Sequence, residues 1–217
     1  EYGVPKNNND KETPQINNPH DSLFRSTFSI RENALSFIGA NIPAHLLDLI
    51  DLESLEICKD SFIDKKLKDY FSDILYKVNL IGDKPAYIYI LFEHKSYYEK
   101  YIHLQLLKYM IEIWELFLRQ QPEGKKKEPL PIILPIVIYH GGNKWPENRT
   151  RLTSLLAGPV ELFTDYIPDF SFILYDLTEI PDEEIKGSIM CRVMQLLFKH
   201  MKNIIDEKAW DGDELLS

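Results

Sequence analysis

Ionisable residues follow directly on a buried strand in the middle of the chain. Residues 86–92 are continuously apolar, and Glu93, His94, Lys95 and Ser96 come immediately after them. An unbroken apolar run rich in β-branched and aromatic residues predicts a strand covered on both faces. Because side chains alternate along a strand, Glu93 and Lys95 should project to one side and His94 to the other. A carboxylate and an ammonium group would then share the strand end where functional groups of open α/β sheets collect.

A second acid lies in the strand predicted just before this one. Residues 70–78 alternate so that Asp73 shares a face with apolar neighbours, and the turn sequence at 81–85 predicts a hairpin with the next strand. A half-buried carboxylate needs an opposite charge or a metal, since an isolated buried charge is strongly destabilising. The hairpin would bring Asp73 beside Glu93 and Lys95. Hard oxygen ligands of this kind suit Mg²⁺ or Mn²⁺ rather than zinc.

An amide falls on the apolar side of the long helix predicted over residues 97–121. At helical spacing Gln105 lies in the middle of the apolar stripe, one to three turns beyond Lys95, so it could reach the two acids. Each candidate also has a plainer interpretation. Gln105 alone is more simply a buried amide with its hydrogen bonds satisfied, Glu93 with Lys95 could be an exposed ion pair, and Asp73 could cap a turn.

The remaining pattern predicts a single α/β domain with a central mixed β-sheet flanked by helices. We expect a disordered lead-in at 1–19, which is polar and poor in apolar residues, a folded domain at 20–207 and a flexible tail at 208–217. The other predicted elements are a helical stretch at 20–38 broken near Gly39 and Pro43, a short helix at 43–50, strands at 55–59, 132–139 and 171–177, and a helix at 181–205. Pro135 suggests a bulge or an edge, and the glycines after His140 suggest a turn.

Composition limits the partners and the compartment. A net charge of −9 opposes nucleic-acid binding through the general surface, so a polyanion would need a local basic patch. Candidate patches are the lysines 59, 65, 66, 68 and 77 near the hairpin and Lys125 to Lys127. Cys58 and Cys191 are too far apart for a zinc-finger site or a disulfide framework, which fits a cytoplasmic protein. No apolar run reaches the ~20 residues of a membrane span.

Taken in order, these motifs resemble the PD-(D/E)XK nuclease superfamily and, more narrowly, the Rpn family of recombination-promoting nucleases, also described as transposases. The resemblance covers about residues 20 to 205. The segments that carry it are His20-Asp21, Phe-Ser-Asp-Ile-Leu-Tyr at 71–76, Phe-Glu-His-Lys-Ser at 92–96, the Gln105 helix, and Pro-Ile-Val-Ile-Tyr-His-Gly at 135–141. One departure is that Ser72 precedes Asp73, where the superfamily name has Pro.

The resemblance implies a restriction-endonuclease-like core that cleaves DNA internally with Mg²⁺ or Mn²⁺, in recombination or mobile-element movement. It implies that Asp73 and Glu93 bind the metal together with the main-chain carbonyl of His94, that Lys95 orients or activates water, and that Gln105 supports the site. A homodimer would suit cleavage of both strands. Two other readings stay open: an inactive nuclease-like scaffold that binds nucleic acid or protein, and a purely structural protein in which Asp73 pairs with Lys or Arg far from Glu93.

Overall fold

The computed structural model describes residues 19–58, 73–93, 98–124 and 128–200, with the backbone alone at 19–21 and 91–93. Several sequence-based predictions lie outside these residues and stay predictions. They are the lead-in up to residue 18, the tail at 208–217, the site residues His94 and Lys95, the lysines between 59 and 68, and Lys125 to Lys127.

The described residues form a mixed five-stranded sheet in the order β1-β2-β3-β4-β5. Its strands are β1 Ile50–Ile57, β2 Asp73–Leu80, β3 Lys84–Glu93, β4 Ile132–Tyr139 and β5 Ile173–Asp176. The first three strands run antiparallel, whereas β4 is parallel to both β3 and β5. The predicted hairpin of β2 and β3 is confirmed, and its turn uses positive φ angles of 86° at Gly82 and 58° at Asp83.

Helices cover both faces of this sheet. They are α1 Pro19–Phe28, α2 Arg31–Asn41, α3 Ala44–Leu47, α4 Ile102–Gln120 and, at the end of the described chain, α5 at 189–200. Alternation along β2 sends Ile74 and Tyr76 into a core shared with α1, α2 and α5, and sends Leu75 into a second core under α4. Burying such a side chain is worth about 1.5–3 kcal/mol, so both faces are firmly held.

Some predicted boundaries were wrong. The first helical stretch breaks after Phe28 and then continues through Gly39 to Asn41. At this break the main-chain carbonyl of Thr27 accepts a 3.0 Å hydrogen bond from the buried Asn33 side chain. Glycine inside a helix costs only about 1 kcal/mol relative to alanine, which a packed helix tolerates.

Two further element boundaries differ from their predicted positions, each because of local backbone structure. Strand β1 begins at Ile50 instead of Leu55, because Ile50 and Asp51 already pair with the end of β2. Helix α5 begins at residue 189 instead of 181, after a 3-10 turn at Asp182–Glu184 and a positive φ of 118° at Gly187. A left-handed glycine conformation cannot lie inside a right-handed helix.

Pro135 lies where β4 has an open edge. The pairing of β3 with β4 passes through Tyr89 and Pro135 without a bulge. Among the described residues, β5 pairs with β4 from Ile136 to Tyr139, so Pro135 comes just before the part of β4 that β5 covers. The edge position was therefore predicted correctly, and it suits a residue that has no N–H to donate.

Candidate active site

Asp73 is the first residue of β2 and is only 6% exposed. It pairs with Leu91 on β3, and Glu93 comes two residues farther along the same strand. Paired residues share a face, as do residues two apart on one strand, so Asp73 and Glu93 occupy one face of neighbouring strands. The side chain of Glu93 lies outside what the structure describes, as do His94 and Lys95 entirely.

The carboxylate of Asp73 is held by a buried phenol. Tyr89 is 1% exposed, and its hydroxyl donates a 2.6 Å hydrogen bond to Asp73 Oδ2. The register pairs Leu75 with Tyr89, which makes Tyr89 a diagonal neighbour of Asp73 on the same face. Burial, and then the charge of Asp73, raises the pKa of the Tyr89 hydroxyl well above its ordinary value. Tyr89 therefore stays protonated and acts as a donor to the acid.

A guanidinium approaches the other carboxylate oxygen. Arg25 Nη2 lies 3.7 Å from Asp73 Oδ1, with 34% of the arginine side chain exposed and 3% of the aspartate side chain exposed. Arg25 comes from α1, which packs on the opposite face of the sheet. A purely structural role for Asp73 predicted such a pair, but it also required a large distance from Glu93. The register places the position of Glu93 on the strand next to Asp73, but the Glu93 side chain, which sets this distance, lies outside the described residues.

Gln105 is half-buried on α4, the helix that covers the face bearing Asp73. The Tyr109 ring, one turn farther along α4, packs 5.2 Å from the ring of Tyr89. Burial, and then the charge of Asp73, raises the pKa of Tyr109, and the neighbouring Gln105 side chain lowers this pKa in part. Gln105 thus lies beside Tyr109, which connects it to the pair formed by Tyr89 and Asp73.

Sequence analysis missed Tyr89 and Arg25. A signal for Tyr89 was present, because residues 89, 91 and 93 alternate onto one face of the predicted strand and the hairpin brings that face to Asp73. We overlooked this signal because a continuous apolar run suggests that every side chain in it packs into the core. Nothing in the sequence points to Arg25, which lies 48 residues before Asp73 on a helix packed against the other side of the sheet.

The turn after β4 borders the same strand end. Glu93 pairs with Tyr139, whose hydroxyl donates a 2.8 Å hydrogen bond to the main-chain carbonyl of Asn143. Trp145 packs edge-on against Tyr139 and Tyr98, with ring centroids 5.0 and 4.8 Å away. Gly141 crosses so close to Tyr139 that a side chain there would overlap the phenol ring. The predicted glycine turn is confirmed, and it needs glycine for this close approach.

The chemistry of the donors fits a hard divalent cation. Asp73 offers a buried carboxylate oriented by Tyr89, and the register adds the position of Glu93 on the same face. Carboxylate and carbonyl oxygens are the ligands that Mg²⁺ prefers. Among the side chains that the structure describes, no group of three or more His, Cys, Asp or Glu could hold a metal ion, and Glu93 is not one of those side chains. The cation therefore remains a prediction.

Comparison with known proteins identifies the family. The family model described as "Putative transposase, YhgA-like" matches residues 18–212. Recombination-promoting nuclease RpnD of Escherichia coli O157:H7 is 31% identical over 185 residues, covering 85% of this chain and 68% of the relative. Recombination-promoting nuclease RpnA of Escherichia coli K12 is 31% identical over 189 residues, covering 87% of this chain and 62% of the relative.

One relative carries a different description. The inactive recombination-promoting nuclease-like protein RpnE of Escherichia coli K12 is 30% identical over 188 residues, covering 85% of this chain and 59% of the relative. No solved structure matches the chain. The chain spans about three fifths to two thirds of the length of these curated relatives. The family match over most of the sequence shows that the chain belongs to the YhgA-like transposase family, which is the family of the Rpn recombination-promoting nucleases.

Proposed function

We propose that the chain is a metal-dependent DNA endonuclease that hydrolyses phosphodiester bonds in recombination or mobile-element movement. The observation that carries this proposal is the pairing of Asp73 with Leu91, which aligns Asp73 with the position of Glu93 on one face. The family supports it, since several relatives are named as recombination-promoting nucleases.

The proposed roles follow the chemistry of each group. Asp73 and Glu93, with the main-chain carbonyl of His94, would hold Mg²⁺ or Mn²⁺. When bound, such a cation polarises the phosphoryl oxygen and lowers the pKa of attacking water. Lys95 would orient that water and stabilise the negative charge that develops on the phosphate. Gln105 would support the acids through Tyr109.

Binding of DNA must overcome the net charge of −9. Arg25, which lies beside Asp73 with a third of its side chain exposed, gives the site a local positive group. A guanidinium suits phosphate because it can donate two parallel hydrogen bonds. Binding of DNA should therefore be local to the site, weak at high salt and helped by the cation, which offsets the repulsion between carboxylates and phosphate.

The test is cleavage of supercoiled plasmid with Mg²⁺ or Mn²⁺, with and without a chelator. Asp73→Asn keeps the shape of the side chain but removes its charge, so we expect loss of nicking by at least ~100-fold. The matched control is Asp176→Asn, which neutralises the other strand-borne acid that is buried among the described residues. Asp176 accepts hydrogen bonds from Trp145 N and Thr178, so this variant should lose stability but still nick DNA when folded.

Cleavage that survives the chelator, or that Asp73→Asn leaves at the wild-type rate, would refute the metal-dependent mechanism. Thermal melts of all three proteins identify any variant that has simply unfolded.

An inactive nuclease-like scaffold is the second candidate. Two observations favour it. Relatives named as inactive are 30% identical over 188 residues and 34% identical over 95 residues, the latter 44% of this chain. In addition, Asp73 is already engaged by Tyr89 and Arg25. Such a protein would bind nucleic acid or a protein partner without cutting. It would show DNA binding that is the same with and without divalent metal, and Asp73→Asn would not alter it.

A further inference from the structure

The buried hydroxyl of Tyr89 donates its hydrogen bond to a carboxylate and not to a main-chain carbonyl. Its 2.6 Å hydrogen bond to Asp73 Oδ2 is one between a neutral donor and an ionisable acceptor, both almost fully removed from solvent. Such charge-assisted bonds are roughly twice as strong as those between neutral groups. A hydroxyl in this position therefore restrains the rotation of the carboxylate strongly.

The ring that carries this hydroxyl is itself fixed. Tyr89 packs against Tyr109 of α4 at a centroid distance of 5.2 Å, and both belong to the core under that helix. The paired strands β2 and β3 set the spacing between Tyr89 and Asp73. Oδ2 of Asp73 accepts the hydrogen bond from Tyr89, and Oδ1 lies 3.7 Å from Arg25 Nη2.

A second buried tyrosine provides the comparison, because its hydroxyl bonds only to the main chain. Tyr76, on β2, is also fully buried and donates a 2.6 Å hydrogen bond, but its acceptor is the main-chain carbonyl of Phe28. It lies in the core on the opposite face. The two tyrosines thus match in burial and bond length and differ in what the hydroxyl holds.

We infer that Tyr89 is a positioning residue, which fixes the direction of the Asp73 carboxylate so that one of its oxygens is presented to a divalent cation. The inference rests on the proposed function, because it assigns Tyr89 a task in the same site. Donors that orient a metal-binding carboxylate typically change metal affinity about 10–100-fold when they are removed.

The experiment compares Tyr89→Phe with Tyr76→Phe, each of which removes one hydroxyl, by calorimetric titration of the full chain with Mg²⁺ and then with Ca²⁺. Mg²⁺ demands near-ideal octahedral geometry, whereas Ca²⁺ accepts irregular sites. We expect Tyr89→Phe to weaken Mg²⁺ binding by about 10–100-fold and Ca²⁺ binding by clearly less. Tyr76→Phe should lower the melting temperature without changing either affinity.

Wild-type Mg²⁺ affinity in Tyr89→Phe, tighter binding, or an equal loss in Tyr76→Phe would overturn the inference. An equal loss of Mg²⁺ and Ca²⁺ affinity would overturn it as well, since that pattern reports general loosening and not lost orientation. Circular dichroism in the cold confirms that each variant is folded during titration. Titration of Asp73→Asn distinguishes failure of the inference on Tyr89 from failure of the proposed function. If the wild type binds no metal, or binds it independently of Asp73, the proposed function itself fails.

Discussion

At the scale of residues, the partners of each buried acid distinguish a structural carboxylate from a candidate catalytic one. Asp176 receives hydrogen bonds at both oxygens, from Trp145 N at 2.9 Å and from the Thr178 hydroxyl at 2.6 Å, so it fastens a turn. Asp73 meets a phenol at one oxygen and a guanidinium at 3.7 Å from the other. These two partners supply an orienting hydrogen bond and a positive charge, which the proposed cleavage of phosphodiesters would use.

Part of this site was predictable from residue types alone. Strand alternation correctly put Asp73 on the face of Leu75, and the turn sequence correctly put it beside the strand that ends in Glu93. The donors around Asp73 were not predictable to the same degree. A tyrosine inside an apolar run does not reveal where its hydroxyl points, and no local pattern joins Arg25 to an acid on a distant strand.

Gly141 gives a prediction at this scale. A methyl group there would overlap the ring of Tyr139, whose hydroxyl bonds to Asn143 beside the strand end that carries Glu93. Gly141→Ala should lower the free energy of unfolding by about 1–3 kcal/mol, the usual cost of overpacking. Urea denaturation measures it. The control Gly39→Ala adds its methyl 3.6 Å from Leu52 inside α2 and should be neutral or stabilising. Equal stability of the two variants would contradict the close approach.

At the scale of elements, strands that run through the core were easier to predict than the helices that begin beside them. Strand β4 matches its predicted range, because both of its faces are buried and the apolar run has clear ends. Helix α4 begins five residues later than predicted, at Ile102 instead of residue 97. Tyr98 and Tyr101 fit the apolar period of the helix, but Tyr101 is exposed and Tyr98 packs on Trp145 before the helix starts. Tertiary contacts therefore decided that boundary.

Helix α5 is tied to the turn before it by charge. Asp182 accepts 2.7 Å hydrogen bonds from Lys199 and from the ring of His200, and these bonds lower the pKa of Asp182. A carboxyl whose pKa falls on folding stabilises the protein above its ordinary pKa, and this contribution disappears as the pH falls through the lowered value. Asp182→Asn should therefore be less stable than the wild type near pH 7, and the difference should shrink as the pH falls below the ordinary aspartate pKa of about 3.9.

Urea denaturation at several pH values measures this difference. Glu183→Gln, an exposed acid in the same turn, is the matched control and should show little change at any pH. A stability gap between the wild type and Asp182→Asn that persists in acid would show that the side chain acts through packing and not through charge.

At the scale of the whole molecule, the two faces of the sheet differ in the side chains that they carry. The face toward α1, α2 and α5 is a continuous apolar core. The face under α4 is also apolar but carries Asp73, Tyr89 and Tyr109 at the strand end that leads to Glu93. The buried acid Asp73 therefore lies on the face under α4, while the core on the opposite face is built from apolar side chains. None of the described helices is long and apolar enough to cross a membrane.

The central claim is that Asp73 and Glu93 bind one divalent cation together. Calorimetric titration of the wild type, Asp73→Asn, Glu93→Gln and the double variant with Mg²⁺ tests it most directly. The account predicts one tight site in the wild type, a loss of affinity of at least ~10-fold in either single variant, and no measurable binding in the double variant. Wild-type affinity in either single variant would contradict it.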